Sequence, residues 1–231
     1  MADLGLATLI EAMARDPQLW EMGHNQNLER QDLGLGWLYY GLTRSLRPSR
    51  AVVIGSWRGF VPMLLAQALQ DGGADGELIF IDPSFVDDQW RGDVPAYFAA
   101  YGLHRIRHVL QTSQQFLAAC PLAEQSVDLL FIDGFHSEEQ CRLEFEGFSP
   151  YLTPQAMTLF HDSTSRISTT IYGADQPYTH TVWRYIDSLR QRPDLQVFDL
   201  DIAQGITLVQ RRSSALQPPR AVGAPQAPMA H

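Results

Sequence analysis

The stretch Leu129-Leu130-Phe131-Ile132-Asp133-Gly134-Phe135-His136 decides how the rest of this 231-residue chain is read. An apolar run that stops abruptly at Asp-Gly-x-x-His reads as a buried strand that delivers a carboxylate and an imidazole to its C-terminal edge. In open α/β sheets that edge is where ligands bind. A second run, Ala156-Met157-Thr158-Leu159-Phe160, ends the same way in His161-Asp162. If the two strands are neighbours, their ends lie about 5 Å apart. Two carboxylates that close repel unless a proton or cation sits between them. One polar site, with a metal as its occupant, is the expectation.

Upstream, Ala51-Val52-Val53-Ile54 is a short β-rich run followed at once by Gly55-Ser56-Trp57-Arg58-Gly59 and then by a helical pattern from Val61 to Leu69. Strand, glycine turn and helix begin a nucleotide-binding βαβ unit. Leu78 to Ile81 forms the second strand and ends in Asp82, an acid placed to accept the hydroxyls of a ribose. Ile106 to Leu110 is the third strand. It leads into Gln111-Thr112-Ser113, whose polar groups either face an adenine or cap the helix from Gln114 to Ala119. Val127 to Ile132 is the fourth strand and Ser137 to Phe148 its helix, with Ser137 as cap. Pro150 and Pro154 bracket a turn before the fifth strand, Ala156 to Phe160.

Helices are also expected over Leu4 to Ala14, Asp32 to Leu46, Val94 to Gly102 and Thr181 to Arg190. Trp20 to Gln31, centred on Gly23-His24-Asn25-Gln26-Asn27, reads as a loop or as a flap over the site. Ser163 to Thr179 has no apolar period, and a loop of that length is functional or disordered. Leu195 to Leu200 and Ile206 to Gln210 read as a closing hairpin. From Ser213 the tail reads as disordered. The expected organisation is N-terminal helices and flap over 1–48, a cofactor-binding catalytic domain over 49–212 and a tail over 213–231.

Composition excludes several function classes. The chain is 45% apolar and 19% charged, as in an ordinary globular protein. Its net charge of -9 argues against binding a nucleic-acid backbone. No apolar run approaches the roughly 20 residues needed to cross a bilayer. The first residues lack the layout of a signal peptide. Cys120 and Cys141 form neither a metal spacing nor a disulfide framework, so a cytoplasmic location is expected. All 17 basic residues are arginine, which removes lysine as base or Schiff-base nucleophile.

Five strands alternating with helices, then a hairpin, describe a doubly wound, mostly parallel seven-stranded sheet with an antiparallel edge strand. This α/β layout resembles the Rossmann-like class I S-adenosylmethionine-dependent methyltransferases over roughly residues 30 to 210. Arg50 to Gly59 looks like their first cofactor motif. Phe131 to Ser137 and Leu159 to Asp162 look more specifically like the branch of macrolide-sugar O-methyltransferases and cephalosporin hydroxylase-like proteins.

The resemblance implies S-adenosyl-L-methionine held by Gly55, Ser56, Gly59, Asp82, Ser113 and Asp133. It implies a divalent metal on Asp133 and Asp162, and His136 as general base for methylation of a small-molecule hydroxyl. His161 stands where the sugar methyltransferases usually carry an acid. It is expected to act as ligand or base, and as a ligand its imidazole would favour manganese, iron or zinc over magnesium. Val53 stands where the family usually has an acid that positions the cofactor. The competing expectations are a metal-independent N- or O-methyltransferase, a catalytically silent cofactor-binding protein and an NAD-binding oxidoreductase. Trp57 and Arg58 read as packing and solvent-facing, and His24, His104, His108 and His180 as surface or structural. Apolar surface on the N-terminal helices suggests a homo-oligomer.

Overall fold

The computed structural model describes residues 5–21, 23–73, 75–119, 122–170 and 174–212. The expected tail lies outside them, as does Cys120. The strands are β1 (Arg50–Gly55), β2 (Glu77–Ile81), β3 (Ile106–Val109), β4 (Val127–Asp133), β5 (Leu152–His161), β6 (Ser168–Thr169), β7 (Tyr178–Thr179), β8 (Leu195–Leu200) and β9 (Ile206–Arg211). The helices are α1 (Leu6–Met13), α2 (Gly36–Leu46), α3 (Phe60–Asp71), α4 (Val94–Ala100), α5 (Ser113–Ala119), α6 (Glu138–Phe148) and α7 (Val182–Arg190).

Seven strands form one sheet in the order β3-β2-β1-β4-β5-β9-β8, parallel from β3 to β5. β9 runs antiparallel to both β5 and β8, so the antiparallel strand lies one place in from the edge. The doubly wound sheet read from the sequence is therefore present. The hairpin inserts its second strand first, which leaves β8 outermost.

Alternation along the strands sorts side chains into two cores, as the two-residue period of a strand requires. Val53, Phe80, Leu129, Phe131 and Leu159 point to one face, where they meet α1, α2, α3 and α4. Val52, Ile54, Ile79, Leu130, Ile132 and Phe160 point to the other, against α5, α6 and α7. Because both faces are covered, the parallel strands read as continuous apolar runs.

The N-terminal helices share the first core: Leu9, Met13, Leu19 and Tyr39 are buried with the residues of α3. Part of the apolar surface read as an oligomer face is thus covered within the chain, while Trp37 of α2 stays exposed. No helix among the described residues is long and apolar enough to cross a membrane.

β5 starts earlier than the sequence implies. Val127 pairs with Leu152 and Leu129 with Met157, so β5 spends extra residues at Thr153-Pro154-Gln155. Pro154 cannot donate to a ladder and sits in this irregularity rather than in a separate turn. Past it the register recovers, with Ile132 opposite Phe160, and this brings Asp133 beside His161.

At the other side of β4, Gly55 pairs with Asp133. Gly55 has φ +73, and a Cβ there would lie 2.2 Å from the Asp133 carbonyl oxygen. Gly73 also has a positive φ, +63, but nothing lies within 4 Å of its would-be Cβ. Gly73→Ala should cost about 1–2 kcal/mol of backbone strain alone. Gly55→Ala should cost clearly more, because backbone must also move. Urea unfolding of the two variants checks the difference; equal losses would remove the steric argument.

Candidate active site

β1, β2, β4 and β5 end on one edge of the sheet, and a cleft of about 730 Å³ runs along it from Asp82 to His180. At its first end the chain leaves β1 through a tight turn in which Gly59 N–H donates to the Ser56 carbonyl at 2.6 Å. Ser56 and Trp57 both take positive φ, +135 and +34, a conformation that stores strain and clusters at functional sites. The Ser56 hydroxyl lines the cleft, is buried and has no hydrogen-bond partner. Trp57 and Arg58 both reach Asp87, at 3.3 and 2.9 Å, and so tie the glycine turn to the loop after β2.

Asp82 closes β2 with its side chain in the cleft. It accepts from Ser84 N–H at 2.7 Å, and burial, opposed by that bond, pushes its carboxyl up to about 6. His108 stays structural as read from the sequence, with Nε2 3.1 Å from the Asp82 carbonyl oxygen.

Ser113 begins α5 and faces the cleft. Thr112, not Ser113, supplies the cap, with Oγ1 accepting from Gln115 N–H. The Ser113 hydroxyl donates to Glu144 Oε1 at 2.9 Å and accepts from Gln140 at 2.8 Å. Glu144, from α6, is a residue the sequence reading missed. It is buried, and its Oε2 has no partner. Burial, only partly offset by Gln140 and Ser113, pushes its carboxyl up to about 7. An acid in the middle of an amphipathic helix carries no sequence signal that separates it from a solvated one.

The strand ends at β4 and β5 meet as expected. His161 Nδ1 lies 2.8 Å from Asp133 Oδ1 and 3.3 Å from Asp162 Oδ1. His136 Nε2 lies 3.6 Å from Asp162 Oδ2. Two further histidines join them. His180 Nδ1 is 3.3 Å from Asp162 Oδ2, and the His24 ring centroid is 4.2 Å from that of His161. His24 is fully buried and His180 nearly so, which removes the surface reading of both.

His24 comes from the segment read as a flap. That segment folds back under α2, with Leu35 N–H donating to the His24 carbonyl. The Gly-His-Asn context marked the place, but nothing in it identified the partner. His180 follows β7, where β6 and β7 form a small ribbon whose Ile167, Thr169 and Tyr178 line the cleft.

Electrostatics divide the imidazoles. Burial alone would push His161 down, but the carboxylates of Asp133 and Asp162 hold it up at about 9. His136 is held below its ordinary value by burial, against the pull of Asp162 and Asp133. His24 is driven down to about 3 by burial and by the neighbouring His161. The two carboxylates stay below the usual range because the His161 contact outweighs their own burial.

The donor set suits a divalent ion. His24, Asp133 and His161 offer ligand atoms within 4.8 Å of one another, and so do His136, His161 and Asp162. His24 Nε2 is buried without a partner, and the buried His161 Nδ1, Asp162 Oδ1 and His180 Nδ1 make only ionic contacts, at 2.8–3.3 Å, that fall outside hydrogen-bond geometry. Each such atom costs about 1–3 kcal/mol, against a net fold stability of about 5–15 kcal/mol. The ionic contacts offset part of this cost, and a bound cation would offset the rest. Asp162 holds φ +53, a further strained residue at the same place.

A methyltransferase-domain family model matches residues 52–163, from β1 to the end of β5. That stretch contains the glycine turn, Asp82, Asp133, His136, His161 and Asp162. Over those residues the chain is similar to a methyltransferase domain. Solved structures share its class I, Rossmann-like fold. A Corynebacterium glutamicum protein superposes with a TM-score of 0.64 at 20% identity over 89% of each chain. A methyltransferase from Geobacter sulfurreducens gives 0.61 at 19%, over 89% of this chain and 88% of its own. The O-methyltransferase TomG from Streptomyces achromogenes, solved with S-adenosylmethionine and involved in tomaymycin synthesis, gives 0.59 at 19%, over 89% and 90%.

In sequence, the uncharacterised protein y4gI of Sinorhizobium fredii is 32% identical over 147 residues, or 56% of this chain. The chain spans 15% of the length of that relative. Among the residues brought together at the strand ends, His24 and His180 lie outside the matched stretch.

The raised Glu144 carboxyl has a consequence for stability. The unfolded chain releases this proton near 4.5 and the folded chain near 7, so the folded state binds it more tightly between those values. Its stabilising effect is complete below about pH 4.5 and is lost as pH rises through 7. At about 1.4 kcal/mol per unit, the swing is on the order of 3 kcal/mol. Stability relative to Glu144→Gln should therefore fall from pH 5 to pH 8. Urea melts of both proteins at the two pH values measure it; a constant difference would refute the assignment.

Proposed function

We propose that the protein is an S-adenosylmethionine-dependent O-methyltransferase that methylates a small-molecule hydroxyl with a divalent cation at the strand ends. The observation that carries this reading is the single cleft joining the glycine turn and Asp82 to Asp133, His136 and Asp162. The methyltransferase domain covers both halves of it.

The cofactor, when bound, supplies an electrophilic methyl group. The Gly55-to-Gly59 turn leaves backbone and the unpaired Ser56 hydroxyl for its methionine end, and Asp82 accepts from the ribose. Ser113 and the unpaired Glu144 oxygen lie farther along the same wall. Val53 is fully buried in β1, so it offers no polar group to the cofactor, and Ser56 takes over that part. The cation, when bound, supplies Lewis acidity that lowers the pKa of a substrate hydroxyl. Asp133, Asp162 and His161 would hold it.

His136 then has the part of base. Burial keeps its imidazole neutral near pH 7, and its ring faces Asp162 in the cleft. His136 would accept the proton of the substrate hydroxyl at its imidazole, while the bound cofactor would supply the methyl group to that oxygen. The remaining work of the protein is orientation. Phe135 and Tyr178 stack with centroids 4.6 Å apart at the cleft, and both are lining residues, as is Ile167. Such a wall suits a substrate with an apolar body.

Calorimetric titration with S-adenosylmethionine tests the cofactor, and absence of binding would sink the reading. Turnover is then followed on a panel of hydroxyl acceptors. Removing the base should lower kcat by about 10²–10⁴-fold in His136→Ala. A chelator should abolish turnover and leave cofactor binding intact. Turnover that survives chelation but not His136→Ala would instead establish the metal-free route.

A further inference from the structure

We infer that His24, delivered by the N-terminal segment from outside the methyltransferase domain, completes an imidazole-rich centre with Asp133 and His161 that takes a first-row transition dication in preference to magnesium. This deepens the metal-assisted reading above and rests on it for the role of the ion, though not for its binding.

The case begins with how His24 is held. Its Nδ1 lies 3.1 Å from the Tyr39 hydroxyl, and its ring stacks on Phe60 with centroids 5.2 Å apart and planes at 17°. One ring nitrogen is therefore engaged and the ring plane is fixed. The other, Nε2, is buried without a partner, and His24 is one of three residues, with Asp133 and His161, whose ligand atoms lie within 4.8 Å of one another. An imidazole whose far nitrogen is anchored by an oxygen while its near nitrogen is free is how metal-binding histidines are oriented. A purely packing residue at this place would be better served by an apolar ring, because a buried unpaired nitrogen costs stability.

Ligand chemistry then selects the ion. Magnesium is a hard cation that takes oxygen ligands and keeps its waters. Around Asp133 and Asp162 this protein places His24, His136, His161 and His180. Imidazole suits zinc, iron, cobalt and nickel, and such a set discriminates against magnesium by ligand type.

The test uses the full chain, freed of metal by chelation, and Co²⁺ as probe. Cobalt should bind with one equivalent and give the visible d–d absorption of a site with nitrogen ligands. Zinc should displace it at equimolar concentration, whereas millimolar magnesium should not. His24→Ala should weaken cobalt binding at least tenfold. Tyr39→Phe, which removes only the anchoring hydroxyl, should weaken it by about 10–100-fold.

Calorimetry with S-adenosylmethionine checks that each variant keeps its fold and cleft. Absence of a cobalt spectrum, displacement by magnesium, or unchanged affinity in both variants would each overturn the inference. Cobalt binding without cofactor binding would leave the centre standing and remove the methyltransferase reading. Metal-free protein that binds cofactor and shows no cobalt spectrum would do the reverse.

Discussion

The contact between Asp133 and His161 is the constraint from which the site follows. It exists because β4 and β5 are parallel neighbours whose registers coincide at their last residues. That coincidence is restored only after the Thr153-Pro154-Gln155 irregularity; a one-residue shift of β5 against β4 would turn the His161 side chain to the face opposite Asp133. Once the carboxylate and the imidazole are 2.8 Å apart and buried, each sets the charge of the other. The imidazole is held up at about 9 and the carboxyl is held down, although burial pushes each toward its neutral form. Such a pair is costly to leave half-made, since removing one partner strands a buried charge.

The same strand end also binds the two halves of the cleft into one. Gly55 faces Asp133 across the β1–β4 ladder, and the space between them admits no side chain. The glycine turn thus has a double reason. It must bend with positive φ, and it must let the Asp133 backbone pass. The glycine turn and the acid–histidine cluster are adjacent for that reason and not by loop placement. A methyl donor seated on one side and a hydroxyl held on the other would meet near Asp133, which is what an in-line displacement requires.

Much of this was legible in the sequence because it is written in strands buried on both faces. Their continuous apolar runs ended at Gly55, Asp82, Asp133 and His161-Asp162, and a polar residue closing such a run has few places to go but the sheet edge. The parallel order and the helix layers followed from the alternation of elements. What was not legible depended on long-range contact. His24 reaches His161 across 137 positions of sequence, and its partner Tyr39 sits in a helix whose pattern looks like any amphipathic one. Glu144 occupies a helix position whose burial depends on α5 packing against α6. The insertion of β9 ahead of β8 reflects the hairpin's choice of partner, to which both of its strands are equally suited by pattern.

The histidines around the two aspartates also make physical sense as a charge arrangement. A carboxylate added to a buried cluster brings a negative charge that must be neutralised, whereas an imidazole brings a lone pair with no charge. Asp133 and Asp162 together match a dication, and every further donor among His24, His136, His161 and His180 is neutral when it binds. That balance would let the N-terminal segment bring a further donor to the strand ends without adding charge, at a place where His24 is fully buried. An oxygen-rich shell would instead need water around it and an open roof. Nitrogen donors and a buried His24 would then be two aspects of one arrangement: the N-terminal segment could bring this side chain to the strand ends because an imidazole carries no charge when it binds a cation.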